Sequence, residues 1–548
     1  MATIRIGDLL KARGLINDEQ LHVALIQQKI TGDLLGDALV KLGFISSKEL
    51  GRILAEQSGI EFVDLGEYVI SENALSAVQK EVAEKAGFIP LDMEDGRMTI
   101  GITNPSNILA VDTATRASKS QPKVCMVDTD SFRDAMDRAY FFLENPIHKR
   151  MEDIISEIKA TETATGAAVT NLANLIIMDG IRRNATDIHV NPTAEMINIF
   201  YRIDGVMQHG HGLPKAAHNG IVSRIKILSQ LDIAEQRLPQ DGSFRFDFLS
   251  KGYDLRVSTV PTIYGENIVM RILAGTGSLL RIEMLGFDEV NTKKIKTLFH
   301  KPYGIILITG PTGSGKTTTL YAALREINLI ERNVLTVEDP VEYKLSLIKQ
   351  TQVNEKAGYD FALAGRNFMR QDPDVMLLGE IRDEETAKIA IRASITGHLV
   401  LSTLHTNDAV TAIPRLLDLQ VDRFLMSSSL LAIMAQRLVR KTCRYCKIEY
   451  SLNDRETSIF KEYGISLSSA FKGKGCSKCN NTGYTGRTVI GEILIIDDEI
   501  REMIYSGASI VAIKEAAVKK GMRPLNEDAV KKAAEGITTL DEVLRVAG

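Results

Sequence analysis

Between Tyr303 and Leu320 the chain reads YGIILITGPTGSGKTTTL, an unbroken apolar run, a glycine-rich stretch and then a helical pattern that continues to Ile327. A short apolar run that ends at glycines predicts a buried strand over Ile305–Thr309, and the periodic positions after it predict a helix over Thr317–Ile327. Three further strand-like runs each stop on polar residues: VLTV before Glu338, Asp339 and Pro340, VMLL before Gly379 and Glu380, and HLVLSTL before His405. In an open parallel α/β sheet the carboxyl ends of the strands gather at one crevice, so Glu338, Glu380 and His405 are expected to converge beside the glycine-rich stretch, with His398 a weaker candidate.

Other periods mark other regions. Residues 4–57 repeat at an offset of 29, with Gly7 matching Gly36, Gly14 Gly43, Ile16 Ile45, Leu21 Leu50, Leu25 Leu54 and Gln28 Gln57. Each copy predicts a short helix, a glycine turn, an N-cap at Asn17 or Ser46 and a second helix with leucines four apart. Up to about Tyr140 the pattern becomes mixed α/β, with helix-like SENALSAVQKEVAEKAG, strand-like FIPLDM and MTIGIT, and a turn at Glu94–Gly96. A helix-like MEDIISEIKA precedes TETATGAA, whose small polar residues mark a linker near 160–168. Alternating strands surround a central helix-like IVSRIKILSQL in 169–285, where Arg202, Arg224, Arg237, Arg256 and Arg271 are spread. After Gly491 the pattern is helical to the end.

Length changes this picture only by requiring about three to five cores. With 44% hydrophobic and 25% charged residues and a net charge of −4, the chain shows no bias towards polyanions. Charges at Arg5, Asp8 and Lys11 interrupt what a signal peptide would need, and no segment reaches about 18 uninterrupted apolar residues, so a cytoplasmic location is expected. Cys443 and Cys446, then Cys476 and Cys479, form two CxxC pairs among five cysteines. Four thiolates at this spacing suit a closed tetrahedral Zn²⁺ site, which is structural rather than catalytic. Cys125 is expected to be a small buried hydrophobe.

The segment GPTGSGKTT, Gly310, Pro311, Thr312, Gly313, Ser314, Gly315, Lys316, Thr317 and Thr318, matches the phosphate-binding loop in full. Its glycines let backbone N–H groups face the phosphates of ATP, Lys316 can reach the β and γ phosphates, and the Thr317 hydroxyl can ligate Mg²⁺. Phosphoryl transfer also needs a carboxylate for Mg²⁺ and a group that orients the attacking water. Glu380 is read as the first and Glu338 as the second, with His405 sensing the γ-phosphate. The reverse assignment of the two glutamates is the alternative.

The motifs DIHVNP, RIDG, RLPQDG, RVSTVPT, GPTGSGKTT, TVEDPVEY, RQDPDVMLLGEIRD, TGHLVLSTLHTND, QRLVRKTCRYC and GYTGRTVIGEIL together resemble the secretion ATPase superfamily, and within it the type II secretion and type IV pilus assembly ATPases. The resemblance implies an α/β fold: a RecA-like P-loop ATPase domain (286–548, with a tetracysteine module at 441–490) preceded by a small PAS-like α/β domain (169–285). Before these it places a helical repeat module (1–60), a small α/β module (61–145) and a linker (146–168). It further implies a homohexamer in which Arg256 and Arg271 reach the ATP phosphates, Arg202 being a weaker match. Hydrolysis would drive an inner-membrane platform protein to assemble pilin or pseudopilin subunits, with a cytoplasmic accessory protein docking on the amino-terminal modules. The tetracysteine module favours assembly over retraction.

The repeat module by itself fits helical docking. It also resembles the tandem cyclic-di-GMP-binding motif of some of these ATPases, through Arg5, Gly7, Leu10, Leu25 and Gln28 in the first copy and Gly36, Leu39, Leu54 and Gln57 in the second. An arginine can bond a guanine edge in two places and leucines offer flat bases an apolar bed. Lys11 and Leu34 depart from the motif, Leu34 standing where Arg5 stands in the first copy. A nucleic-acid-translocating motor would call for basic, aromatic-rich surfaces, whereas this chain has no Trp and 6% aromatics. A scaffold that binds nucleotide without turnover would predict damage at Lys316, Glu338 or Glu380, and all three are intact.

Overall fold

The computed structural model describes residues 5–66, 68–161, 164–249, 251–273, 281–345 and 347–547. The chain divides into two compact units, Met1–Ser278 and Leu279–Gly548.

In the first unit the repeat forms two helix pairs, Ile6–Ala12 with Asp18–Thr31 and Leu35–Lys41 with Ser47–Ser58. Both expected N-caps are complete capping boxes, Asn17 with Gln20 and Ser46 with Glu49. The repeated glycine has a packing cause. A Cβ on Gly7 would lie 3.2 Å from a Leu21 methyl, and one on Gly36 2.7 Å from a Leu50 methyl. A side chain at either position would push the short helix off the long helix of its own copy unless the leucine shifted, more so at Gly36 than at Gly7.

The next module pairs β1 (Glu61–Phe62), β2 (Phe88–Glu94), β3 (Arg97–Ile102) and β4 (Lys123–Met126) in the order β1-β4-β3-β2. The predicted turn closes the β2–β3 hairpin, with Asp95 and Gly96 both at positive φ. Cys125 is buried, 1% exposed.

The segment 146–168, expected as a linker, is for the most part not one. Ile147–Thr161 is a helix that buries Ile147, Met151 and Ile158 in the same core as the sheet that follows. A second helix starts at Gly166, capped by Thr165. Apolar residues recurring at helical spacing in HKRMEDIISEIKA outweigh the small polar stretch after them.

That sheet consists of β5 (Asp187–Pro192), β6 (Met196–Ile203), β7 (Val206–Pro214), β8 (Gln240–Phe248), β9 (Lys251–Thr262) and β10 (Gly265–Leu273). It is antiparallel throughout, in the order β7-β6-β5-β10-β9-β8. Helices Gly166–Arg182 and His218–Leu228 supply Leu172, Ile176, Ile221 and Ile225 to its core.

The second unit is built on β11 (Gly304–Thr309), β12 (Val334–Glu338), β13 (Lys349–Gln352), β14 (Val375–Leu378), β15 (Leu399–Leu404) and β16 (Leu430–Thr442), followed by a hairpin of β17 (Lys447–Ser451) and β18 (Ser469–Gly473) and by β19 (Tyr484–Ile495). The main sheet runs β13-β12-β14-β15-β11-β16-β19, parallel except for β19. Every residue of β11, β14 and β15 is buried, which is why these strands read as continuous apolar runs. Two boundaries differ from expectation. Ile282 and Leu285 pack in this unit's core, so the unit begins before 286. The helical tail starts at Asp498, because GEIL completes β19.

Candidate active site

The order of the strands brings the site together. Parallel neighbours end at one edge, so the loop after β11 lies next to the ends of β15 and, one strand further, β14. Thr309, the last residue of β11, ties two of these ends with its hydroxyl, which bonds the carbonyls of Leu404 and Thr406 and receives the Thr406 N–H at 2.8 Å.

The loop after β11 curls as its glycines predicted. Gly310, Gly313 and Gly315 have φ of 147°, 78° and 87°, values that side chains oppose. At Gly310 the space is also closed, since a Cβ there would stand 2.4 Å from the Gln436 carbonyl oxygen. Lys316 opens the helix Lys316–Glu326, and its Nζ donates to the carbonyls of Gly310 at 2.8 Å and Pro311 at 3.2 Å. Burial pushes its ammonium below the ordinary lysine range, with Glu380 pulling the other way. Pro311, Thr312 and Gly313 are exposed, Thr317 and Thr318 half-buried. The Ser314 hydroxyl is buried with no partner among the described residues.

Glu380 stands just past β14, with His405 Nε2 3.1 Å from one carboxylate oxygen and Arg382 Nε donating to the other at 2.9 Å. Burial and the Lys316 ammonium hold the His405 imidazole below its ordinary range against the pull of Glu380. Lys316, Glu380 and His405 thus share one electrostatic neighbourhood. His398 does not belong to it, because it precedes β15 while His405 follows it. A six-residue strand spans about 20 Å, and the His398 ring is bonded to the Ala393 carbonyl at 2.8 Å.

Glu338, the last residue of β12, is 5% exposed. Its carboxylate accepts hydrogen bonds from Tyr321 Oη, from Thr336 Oγ1 at 2.6 Å and from Gln350 Nε2 at 3.2 Å. It sits in a polar cage of its own, not on the Glu380–His405 pair.

Sequence reading passed over the residue that braces the loop. Gln436 of β16 is fully buried, donates from Nε2 to the Ser314 carbonyl at 2.9 Å and accepts from Thr319 Oγ1 at 2.9 Å. The available signal was a lone glutamine inside the apolar run LLAIMAQRLV, where an uncompensated amide would be costly.

In the first unit the arginines form a row. Arg202 of β6, Asp187 of β5, Arg271 of β10 and Arg256 of β9 are successive Cα partners across four strands, and directly opposed residues project from the same face. Arg271 Nε is 2.9 Å and Arg202 Nε 3.6 Å from the two oxygens of Asp187. Arg256 is exposed.

The sulfur atoms of Cys443, Cys446, Cys476 and Cys479 all lie within 4.8 Å of one another. Three of the separations are 3.9, 3.8 and 3.7 Å, and a tetrahedral ion with bonds of about 2.3 Å sets its sulfurs about 3.8 Å apart. Backbone N–H groups of Gly475, Cys476 and Gly483 point at the sulfurs at 3.3 Å. The cluster can hold a metal ion. In the repeat module Arg5 and Gln57 are exposed and Gln28 and Leu54 half-buried, and Leu25 is 39% exposed. Leu10 and Leu39, expected in an apolar bed for bases, are fully buried. Gly7 and Gly36 are buried as well.

The profile of a family described as type II/IV secretion system protein matches residues 162–545. The chain belongs to that family. It is therefore an ATPase. A second profile, the MshEN domain, matches residues 58–143. The chain is 39% identical to the "Type IV pilus assembly ATPase PilB" of Myxococcus xanthus, covering 98% of each chain. It is 38% identical to the "Type II secretion system protein E" of Xanthomonas campestris pv. campestris, covering 100% of this chain and 98% of the other. Among solved structures, the Legionella pneumophila ATPase DotB shares the fold with a TM-score of 0.51 at 21% identity, covering 68% of this chain and 94% of that one.

Proposed function

We propose that this secretion ATPase is the cytoplasmic motor, a homohexamer, that powers assembly of a type IV pilus or a type II secretion pseudopilus through an inner-membrane platform protein. The observation that carries this reading is the match to relatives of both systems over the full chain, amino-terminal modules included. Among the described residues no helix is long and apolar enough to cross a membrane, so attachment through the platform protein and an accessory protein fits the chain.

In the proposed reaction the phosphates of ATP replace the loop carbonyls as partners of Lys316. Thr317 and Glu380 would hold Mg²⁺, which when bound neutralises phosphate charge. His405 reports on the γ-phosphate through Glu380, and Glu338 orients the attacking water. Arg256 and Arg271 add positive charge to the phosphates in the assembled hexamer. Deleting the gene tests the function directly. Loss of surface filaments would assign the pilus, loss of secreted proteins with filaments intact would assign the secretion pseudopilus, and a strain unchanged in both would overturn the reading.

We also propose that the repeat module binds cyclic-di-GMP. Arg5, Gln28, Leu25, Leu54 and Gln57 remain accessible for it, while Gly7, Leu10, Gly36 and Leu39 act by shaping the module. In calorimetric titration of the full chain, Arg5→Ala is expected to weaken cyclic-di-GMP binding by about tenfold. An unmodified chain that takes up no cyclic-di-GMP would leave the repeat as a docking module.

A further inference from the structure

The cage around Glu338 is more than a way to bury a carboxylate. Three side-chain donors from three elements meet it: Tyr321 from the helix after the phosphate loop, Thr336 from β12 itself and Gln350 from β13. A carboxylate whose oxygens already accept several hydrogen bonds has few lone pairs left for a water.

The cage is also tied to a loop. Tyr321 Oη donates its hydrogen to Glu338 and accepts the backbone N–H groups of Glu342 at 3.2 Å and Tyr343 at 3.3 Å. Gln350 donates from the same amide to the Tyr343 carbonyl at 2.9 Å, and its oxygen accepts the Leu345 N–H at 2.7 Å. The Tyr343 ring meets the Tyr321 ring edge-on with centroids 5.5 Å apart. Residues 342–345 therefore hang on two of the three side chains that confine Glu338. Any movement of that loop must break bonds to Tyr321 and Gln350.

We propose that Tyr321 is a positioning residue that, with Thr336 and Gln350, withholds Glu338 from the attacking water, and that displacement of the loop 342–345 releases the carboxylate for hydrolysis. The inference rests on the reading of Glu338 as the water-orienting group. It makes the loop a control point for turnover that lies outside the phosphate loop itself.

Tyr321→Phe keeps the ring and its edge contact and removes only the hydroxyl. In the full chain, ATP turnover without added partner proteins is expected to rise about tenfold, the equivalent of one hydrogen bond to a charged group. KM for ATP should stay within about twofold, because the phosphate loop is untouched. A fall in kcat, or an unchanged rate, would overturn the proposal.

Thr336→Val removes a second donor with nearly the same shape and should raise turnover in the same direction. If Tyr321→Phe fails to fold, an unchanged or lower rate in Thr336→Val overturns the proposal by itself. Adding Glu338→Gln to Tyr321→Phe should abolish the gain. A double variant that keeps the raised rate would show that Glu338 is not the water-orienting group, a failure of the underlying reading rather than of the cage.

Discussion

Glu380→Gln is expected to lower ATP turnover by at least two orders of magnitude, about 3 kcal/mol of barrier or more, while ATP still binds. Glutamine keeps the size of the side chain and an oxygen for Arg382 Nε, which lies 2.9 Å from the carboxylate. The variant removes charge, not shape. The lost negative charge matters twice. It would hold Mg²⁺ against the phosphates, and it balances the Lys316 ammonium and the His405 ring, both of which feel Glu380. Binding should persist because the donors of the loop and Lys316 are unaltered. Phosphate release in the steady state and titration with ATP separate the two quantities. Turnover near that of the unmodified chain would sink the assigned role and move the metal to Glu338. Filament assembly or secretion should fail with hydrolysis, since both depend on it under the proposed function.

The second large effect is expected at the cysteine cluster. Cys476→Ser should remove about one zinc ion per chain and open the module around residues 443–483, because a structural zinc site contributes about 10 kcal/mol or more of binding energy to its fold. The module's hairpin of β17 and β18 is two-stranded, a size that is marginal alone. Phe460 and Ala470 are buried in the core of the second unit, and Tyr450, Leu452, Ile459, Tyr463, Ile465 and Leu467 pack against it, so the loss should be local to the cysteine end of the module. Metal content, and proteolysis confined to this stretch, check the prediction. A variant with the metal content and protease resistance of the parent would count against a zinc site. In the metal-free protein burial and the neighbouring thiols push Cys446 up to about 12. For Cys479 burial acts in the same direction, but N–H groups and the other thiols outweigh it and bring the thiol down to about 7. Metal binding must displace the remaining protons, so affinity should fall as pH falls.

The residues whose placement read well from sequence are those set by a local pattern. The loop from Gly310 to Thr318 is contiguous, and its backbone needs glycine at fixed spacings. Glu380 and His405 follow buried strands, so their place at the strand ends could be read from where apolar runs stop. Glu338 follows the same rule and yet has a different environment, since its partners Tyr321, Thr336 and Gln350 come from a helix and two strands whose approach no local pattern encodes. His398, the weaker candidate, stands in the same run as His405, and the direction of β15 puts it at the opposite end of the strand. The linker expected over 146–168 failed for a related reason. Its polar composition was plain, but whether Ile147, Met151 and Ile158 have a core to enter depends on the sheet that follows.

By itself the sequence determined the glycine loop after β11, the buried strands that end before Gly310, Glu380 and His405, the capped helix pairs of the repeat and the four-cysteine cluster. Each of these is carried by the spacing of a few residues along the chain. Only the tertiary structure decided that Gln436 braces the loop, that Arg202, Asp187, Arg271 and Arg256 stand in one row across four strands, and that Glu338 is caged. Those arrangements are set by strand register and side-chain packing between residues far apart in the chain, and neither leaves a period in the sequence.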